Sequence, residues 1–119
     1  MCGFGAIVDL ERDRGCVSAA DLSAIGRLIA HRGPDGEGLW VASHRRAGLV
    51  HRRLSIIDLT DHAAQPMHSG NGVSIAYNGE TYNYLELREA IGSNWEFTSN
   101  SDTEAVLASY EMFGTDCVS

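Results

Sequence analysis

The chain has 119 residues, enough for one domain, and 44% of them are hydrophobic, so it can bury a core and is not disordered by composition. All nine basic residues are arginines, which excludes every mechanism that needs a lysine base, a lysine Schiff base or a phosphate-loop lysine. The net charge is −7, and residues 61–119 contain nine acids and one arginine, so neither nucleic acid nor a membrane is an expected partner.

Strand patterns recur along the chain. Residues 2–10 are small and apolar, and they are predicted to form a buried strand in which Phe4, Ala6 and Val8 alternate. Further strands are predicted over four stretches: 39–43, 48–57, 73–77 and 95–97.

Helical patterns occur at three places. Asp21 is predicted to cap a helix that ends near His31, because the eight residues from His31 onward contain three glycines and one proline. The apolar face of this helix comprises Leu22, Ile25, Leu28 and Ile29. A short helix is predicted over 85–91, and Ser101 or Asp102 is predicted to cap a last one. Together with the strands, these helices predict an α+β fold.

The three cysteines, Cys2, Cys16 and Cys117, form no CxxC pair and match no zinc spacing. Cys16 and Cys117 are expected to be small buried residues. The odd count favours a reducing compartment, and there is no signal-peptide pattern and no apolar run of about 20 residues, so a cytoplasmic location is expected. The five histidines match no metal-ligand spacing, so no metal is expected, and a cysteine–histidine pair formed with His51 is kept as an alternative.

Cys2 is a candidate nucleophile because it follows the initiator methionine and is small enough to permit removal of Met1. Removal would leave a thiol and a free α-amine on one residue. An α-amine has a pKa of about 7.7–8.0, so roughly 10–20% of it is unprotonated at neutral pH and can act as a general base. The alternative for Cys2 is a small buried hydrophobic residue.

Six sequence blocks occur in order along the chain: MCGFG, HRGPDGEG, HRRLSIIDL (51–59), QPM, YNGETYNYLELR (77–88) and SDTE (101–104). In this order they resemble the glutaminase domain of glutamine-hydrolysing asparagine synthetases, a class II glutamine amidotransferase domain. The resemblance extends from Cys2 to about Gly114. It implies the N-terminal-nucleophile hydrolase fold, a four-layer αββα sandwich, of which residues 1–119 would be the incomplete N-terminal portion.

The resemblance implies a role for each residue that matches a block. Cys2 is the implied nucleophile, and the Asn78 side chain with the Gly79 N–H is the implied oxyanion hole. Arg53 is the implied partner of the glutamine α-carboxylate, and Asp102 is the implied partner of its α-ammonium group. The other implied substrate-binding residues are Leu54, Ser55, Ile56, Ile57 and Glu80.

Each implied role has a structural alternative. Asn78 and Gly79 form a typical hairpin-turn dipeptide. Arg53 is read alternatively as a solvated surface arginine, and Asp102 as a helix N-cap that is still compatible with substrate binding. Three further residues are interpreted as structural: Arg32, Gly33 and Asp35. They are predicted to form a tight turn that closes over Cys2 and contains an internal charge pair.

The same resemblance implies hydrolysis of L-glutamine to glutamate and ammonia through a γ-glutamyl thioester on Cys2. The ammonia would pass to an ATP-dependent synthetase domain, absent from residues 1–119, with asparagine as the expected product. ATP and Mg²⁺ are expected only for that domain, no cofactor is expected for this chain, and the full-length protein is expected to form a homodimer. Two alternatives are kept: a glutaminase with a different nitrogen acceptor, and a truncated domain without activity.

Overall fold

The computed structural model describes residues 2–11, 16–56 and 58–118. Five strands occur in this part of the chain: β1 (Gly3–Val8), β2 (Gly36–Val41), β3 (Ala47–Arg53), β4 (Met67–His68) and β5 (Ser74–Ile75). Three α-helices occur in the same part: α1 (Ala19–Leu28), α2 (Tyr84–Ile91) and α3 (Asp102–Phe113). The predicted mixture of helices and strands is therefore confirmed.

The main sheet contains three antiparallel strands in the order β1–β3–β2. In the central strand β3, His51 pairs with Phe4 of β1 and with Gly38 of β2. Gly3 pairs with Arg52. This register brings Cys2 beside the end of β3, where Arg53 lies, although the two residues are far apart in sequence.

Helix α1 packs on one face of this sheet and forms the core with it. The buried residues Val17, Leu22 and Val50 lie at its centre. Partly buried apolar residues surround them: Ile7, Ile25, Leu39 and Val41. Removal of this apolar surface from water holds α1 on the sheet.

The outer side of β1 differs from the prediction. Successive side chains of a strand point to opposite faces, so Gly5 and Ile7 lie toward α1 while Phe4, Ala6 and Val8 lie on the other face. Phe4 is 49% exposed and Val8 64% exposed. The prediction that this alternating set is buried is wrong, because α1 covers the opposite side of the strand.

Helix α1 begins before its predicted cap. Ser18 is the N-cap: its Oγ accepts a hydrogen bond from the Asp21 N–H at 3.2 Å and donates one to the Asp21 carboxylate at 2.6 Å. Asp21 is therefore not the cap but the third residue of the helix, where it completes a reciprocal pair with Ser18. Leu28 is 77% exposed, because it lies about 120° around the helix from the buried Leu22.

The second half of the chain is built around α3. Strands β4 and β5 pair with each other and contact α3, and α2 packs against α3. Ile91 and Leu107 are buried in this part. On the sheet side, the ring centroid of Trp40 lies 5.4 Å from that of His68. Ser101, one of the two predicted caps, is the N-cap of α3.

A buried carboxylate organises the segment before α3. Glu104 accepts hydrogen bonds from the Thr98 N–H at 2.9 Å, the Ser99 N–H at 2.7 Å and Trp95 Nε1 at 3.3 Å. Burial raises the pKa of Glu104, but the hydrogen bonds, led by the one from the Ser99 hydroxyl, outweigh burial and lower it. The strand predicted over 95–97 is wrong, because the chain here wraps around this carboxylate.

Two further predictions differ from the structure. Cys16, expected to be buried, is exposed, and its Sγ lies 3.8 Å from Asp9 Oδ2. Strand β3 ends at Arg53, short of the predicted residue 57, because the Arg53 carbonyl oxygen accepts from the Asp35 N–H outside the ladder. Within the described ranges, no helix is both long enough and apolar enough to cross a membrane.

Candidate active site

A cavity of about 420 Å³ opens where the end of β3, the segment after β5 and the start of α3 meet. The three residues predicted to be catalytic, Cys2, Asn78 and Gly79, all line it. So do five of the other predicted substrate-binding residues: Arg53, Leu54, Ile56, Glu80 and Asp102. Segments that are separate in sequence therefore contribute to one cavity.

One described residue of the predicted set is not in this cavity. Ser55 is not among the lining residues, and its N–H instead donates to the Asp35 carboxylate at 2.8 Å. Its neighbours Leu54 and Ile56 do line the cavity, as expected for an extended segment whose side chains alternate. Ile57 lies outside the described residues.

The thiol of Cys2 contacts the backbone of Leu54. The Leu54 N–H donates to Cys2 Sγ at 3.3 Å, and the Leu54 carbonyl oxygen accepts from the thiol at 3.6 Å. After the thiol loses its proton, the sulfur still accepts from the N–H. The Leu54 peptide thus fixes the sulfur at the cavity wall in either protonation state.

The turn after α1 supports the two neighbouring strand ends. Arg32 Nε donates to the Cys2 carbonyl oxygen at 3.0 Å, and the Asp35 N–H donates to the Arg53 carbonyl oxygen at 3.0 Å. Arg32 therefore lies against Cys2 as predicted. The predicted charge pairing inside the turn is replaced by these contacts with Cys2 and Arg53.

Arg53 is oriented by carbonyl oxygens of the segment that follows it. Its Nη1 donates to the Thr60 carbonyl oxygen at 2.9 Å, and its Nη2 donates to the Asp58 carbonyl oxygen. A guanidinium has five N–H donors, so three remain for a ligand after these two contacts. Arg53 is therefore held at the cavity wall and still has donors for a carboxylate.

The Asp58 side chain ties this segment to the start of α3. Its Oδ1 accepts from the N–H and the hydroxyl of Thr60 at 2.8 and 2.7 Å, and its Oδ2 accepts from the Asn100 N–H at 2.8 Å. The hydrogen bond from Asn100, followed by those from Thr60, lowers the pKa of Asp58 to about 2. The ionised form of this buried carboxylate is therefore the one that the fold stabilises.

Replacing Asp58 with asparagine is expected to reduce the free energy of unfolding by on the order of 1–3 kcal/mol at pH 7, because an amide NH₂ would then face the Asn100 N–H. The folded-state pKa is below the unfolded one, so the stabilisation is complete above about pH 4 and disappears as the pH falls toward 2. Urea unfolding of parent and variant between pH 7 and pH 2.5 measures it, with D61N at an exposed carboxylate as the control. An Asp58→Asn effect that does not change with pH would contradict the prediction.

Asp102 lies at the start of α3 and is 7% exposed. Its Oδ2 accepts from the Thr81 N–H at 2.9 Å. Because Ser101 is the N-cap, the N-cap alternative for Asp102 is wrong. A carboxylate in the first turn of a helix is stabilised by the helix dipole and presents negative charge to the cavity.

Asn78 and Gly79 lie between β5 and α2, so the hairpin-turn alternative is wrong. A Cβ at position 79 would lie 2.6 Å from the hydroxyl of Tyr77, so any other residue here would require the Tyr77 ring to shift. The dipeptide therefore forms part of the cavity wall and does not connect two paired strands.

Six polar residues line the cavity without having been predicted as site residues: Asp58, Tyr82, Ser101, Gln65, Tyr77 and Thr103. The last three are joined by hydrogen bonds through Gln65. Gln65 belongs to the QPM block, Tyr77 precedes Asn78, and Thr103 follows Asp102. Their position within the six sequence blocks was thus the signal that could have identified them as cavity residues. No residue-level chemistry pointed to them, because their contacts join segments that are distant in sequence.

The alternative pairing of Cys2 with His51 is not supported by the geometry. His51 Nε2 lies 3.2 Å from the Tyr77 carbonyl oxygen, and His51 is not among the residues that line the cavity. Burial lowers the pKa of His51, so the ring is neutral at neutral pH. Within the described ranges, no group of three or more His, Cys, Asp or Glu side chains is arranged to hold a metal ion.

Comparison with known proteins identifies the family of this cavity-bearing chain. Residues 1–119 match the family model described as a glutamine amidotransferase domain. The chain belongs to this glutamine amidotransferase family. The predicted class of enzyme domain is therefore confirmed.

Relatives of this amidotransferase domain include proteins with different names. It is 42% identical to amidase chry2 of Gibberella zeae, an alignment that covers 100% of the chain and 19% of the relative. It is 35% identical to the putative asparagine synthetase [glutamine-hydrolyzing] 2 of Methanocaldococcus jannaschii, covering 99% and 25%. It is also 35% identical to asparagine synthetase B [glutamine-hydrolyzing] of Escherichia coli, covering 98% and 20%.

The family match and the two asparagine synthetases confirm the resemblance to the glutaminase domain of glutamine-hydrolysing asparagine synthetases. The amidotransferase domain spans between about a fifth and a quarter of the length of the curated relatives it matches.

Proposed function

We propose that this domain hydrolyses L-glutamine to glutamate and ammonia, with Cys2 as the nucleophile. One observation carries the proposal: the N-terminal thiol and the residues suited to bind a free amino acid line a single cavity of about 420 Å³. The match of the whole chain to the glutamine amidotransferase family supports the same reaction.

Glutamine binding requires partners for both charged α-groups of a free amino acid. The three remaining N–H donors of Arg53 suit the α-carboxylate, which a guanidinium binds through two parallel hydrogen bonds. Asp102 suits the α-ammonium group, because its negative charge is buried beside the cavity. A glutamine residue within a polypeptide has neither charged α-group, so this pair selects the free amino acid.

The first chemical step is attack of the Cys2 sulfur on the side-chain amide carbon. The free α-amine of Cys2, present once Met1 is removed, takes the thiol proton as general base. The C–S bond forms as the C=O π bond opens, and the oxygen becomes an oxyanion. The Asn78 amide and the Gly79 N–H donate to that oxyanion, which is where preorganised donors lower the barrier most.

The intermediate then collapses to a γ-glutamyl thioester. The C–N bond breaks, the α-ammonium of Cys2 returns its proton to the leaving nitrogen, and ammonia departs. Water, deprotonated by the same amine, attacks the thioester through a second oxyanion. The C–S bond then breaks and the α-ammonium returns its proton to the leaving sulfur, which gives glutamate and the free thiol. One base and one oxyanion hole thus serve both halves of the reaction.

The same proposal extends to the fold and to the fate of the ammonia. The three-stranded sheet, with α1 on one face and the exposed Phe4 and Val8 on the other, is compatible with the N-terminal part of an αββα sandwich. The ammonia would pass to a synthetase domain that uses ATP and Mg²⁺ and forms asparagine. A search of the coding sequence after residue 119 for such a domain tests this extension.

A different nitrogen acceptor is the second candidate. The relative named an amidase is 42% identical to this chain, whereas the asparagine synthetases of M. jannaschii and E. coli are 35% identical. Tracing the label from glutamine that carries ¹⁵N in its amide, with the full-length protein and aspartate plus ATP, separates the two candidates. Labelled asparagine supports the first one.

Equal amounts of glutamate and ammonia are expected when the purified full-length protein is mixed with L-glutamine, and none with D-glutamine, which cannot satisfy Arg53 and Asp102 together. The intact mass is expected to show loss of Met1, because an acylated nitrogen cannot act as the base. Activity in a preparation that retains Met1 would contradict the free-amine base. No ammonia release from a preparation that lacks Met1 would overturn the proposed function.

A further inference from the structure

Tyr77, which precedes the proposed oxyanion pair, is held at three atoms. Its N–H donates to Gln65 Oε1 at 2.6 Å, and its carbonyl oxygen lies 3.2 Å from His51 Nε2. Its hydroxyl lies 3.1 Å from Thr81 Oγ1. Both peptide groups that flank the Tyr77 Cα are therefore fixed by side chains, and they set the direction in which the backbone enters Asn78.

The donor and acceptor roles follow from the chemistry of each group. A backbone N–H only donates, so Gln65 presents its oxygen to Tyr77 and its NH₂ to Thr103 Oγ1, at 3.1 Å. A carbonyl oxygen only accepts, so Nε2 of His51 carries the ring proton. His51 Nδ1 then carries no hydrogen and, among the described residues, has no hydrogen-bond partner.

His51 is a costly residue for its place in the sheet. It is fully buried at 0% exposure on the central strand, and its buried ring nitrogen without a hydrogen-bond partner carries a desolvation cost that an apolar residue would avoid. The polar contact of this buried ring is the hydrogen bond from Nε2 to the Tyr77 carbonyl oxygen, and this contact offsets part of the cost.

Gln65 connects the oxyanion segment to two other parts of the domain. A Cβ at Gly38 would lie 1.8 Å from the Gln65 carbonyl oxygen, so the Gln65 backbone rests directly on β2. Its side chain bridges Tyr77 and Thr103, the residue after Asp102. The oxyanion segment and the start of α3 are therefore held by the same amide.

We propose that Gln65 and His51 are positioning residues that clamp the Tyr77 peptide groups and thereby aim the Asn78 amide and the Gly79 N–H at the oxyanion. This inference rests on the proposed function. The clamp acts on transition-state stabilisation and leaves glutamine binding by Arg53 and Asp102 unchanged.

Paired substitutions separate the clamp from a general loss of structure. Gln65→Met keeps the side-chain length but removes both hydrogen bonds, and is expected to lower kcat roughly 10–100-fold with KM little changed. Gln65→Glu keeps an acceptor for the Tyr77 N–H and is expected to restore most of kcat. His51→Gln keeps a donor and is expected to retain more activity than His51→Leu. Asn94→Leu is the control, because it removes only a remote amide hydrogen bond to the Ile91 carbonyl oxygen and should change Tm alone.

An aldehyde analogue reports on the oxyanion hole directly. Glutamate γ-semialdehyde forms a tetrahedral adduct with a thiol, so its affinity follows transition-state stabilisation. Its affinity is expected to fall in Gln65→Met by the same factor as kcat/KM, while the Kd of L-glutamine in a Cys2→Ala background stays the same when Gln65→Met is added. An equal loss of both affinities would overturn the positioning role.

Amide hydrogen exchange tests the clamp independently of turnover. The Tyr77 and Gly79 amides are expected to exchange faster in Gln65→Met than in the parent chain, with those of α1 unchanged, and unaltered exchange would overturn the clamp. If the parent hydrolyses glutamine and Gln65→Met keeps its kcat, the positioning role is wrong and the proposed function stands. If the parent releases no ammonia, the proposed function is wrong, and exchange alone decides whether Gln65 clamps Tyr77.

Discussion

Cys2→Ala is expected to abolish release of ammonia from L-glutamine while glutamine still binds. The reaction begins with a bond between the Cys2 sulfur and the amide carbon, and a methyl group cannot form it. Arg53 and Asp102 would still hold the α-groups, because neither depends on the thiol for its position: Arg53 is anchored by the Asp58 and Thr60 carbonyl oxygens and Asp102 by the Thr81 N–H. Calorimetric titration with L-glutamine measures binding, and a coupled ammonia assay measures turnover.

Cys2→Ser is expected to be nearly inactive as well. A thiol has a pKa of about 8.5, whereas a serine hydroxyl is far harder to ionise, so a base as weak as an α-amine does not activate it. Cys117→Ala removes a second half-buried thiol and is expected to retain full turnover, which makes it the matched control. Substantial turnover in Cys2→Ala would move the nucleophile to another residue.

Arg53→Ala and Asn78→Ala are expected to affect different kinetic constants. Arg53 binds the α-carboxylate equally in the ground state and the transition state, so its loss should mainly raise KM, at a cost on the order of 2–5 kcal/mol in a desolvated site and less in a wet one. Asn78 meets full negative charge only when the oxyanion forms. Asn78→Ala should therefore lower kcat by roughly 10²–10³ with KM little changed.

Measurement of kcat, KM and Tm for both variants decides between a catalytic and a structural role for Asn78. A purely structural role predicts a lower Tm with an unaltered kcat per folded molecule. An Asn78→Ala variant that melts early and yet turns over normally would therefore refute the oxyanion assignment. Arg53→Lys is a useful intermediate, because it keeps the charge but loses the paired donors that fit a carboxylate.

Local pattern in the sequence predicted most of the element types, and the resemblance carried by six sequence blocks implied many of the residues that line the cavity. Apolar periodicity predicted the strand at the N-terminus and the helices near 22–28 and 85–91, because those periods follow directly from strand and helix geometry. Six ordered blocks pointed to the family and to eight residues that line one cavity: Cys2, Arg53, Leu54, Ile56, Asn78, Gly79, Glu80 and Asp102. These blocks contain the residues whose chemistry the proposed reaction needs.

Only the tertiary structure decided which face of each element is covered and which side chains hold the site in place. Periodicity shows that Phe4, Ala6 and Val8 share a face, but the position of α1 decides that this face is exposed. The clamp on Tyr77 is formed by Gln65, twelve residues earlier, and by His51, twenty-six residues earlier, through hydrogen bonds that no local pattern encodes. Sequence spacing reports on periods within one element, whereas the hydrogen bonds of a buried polar group depend on which elements the fold brings together.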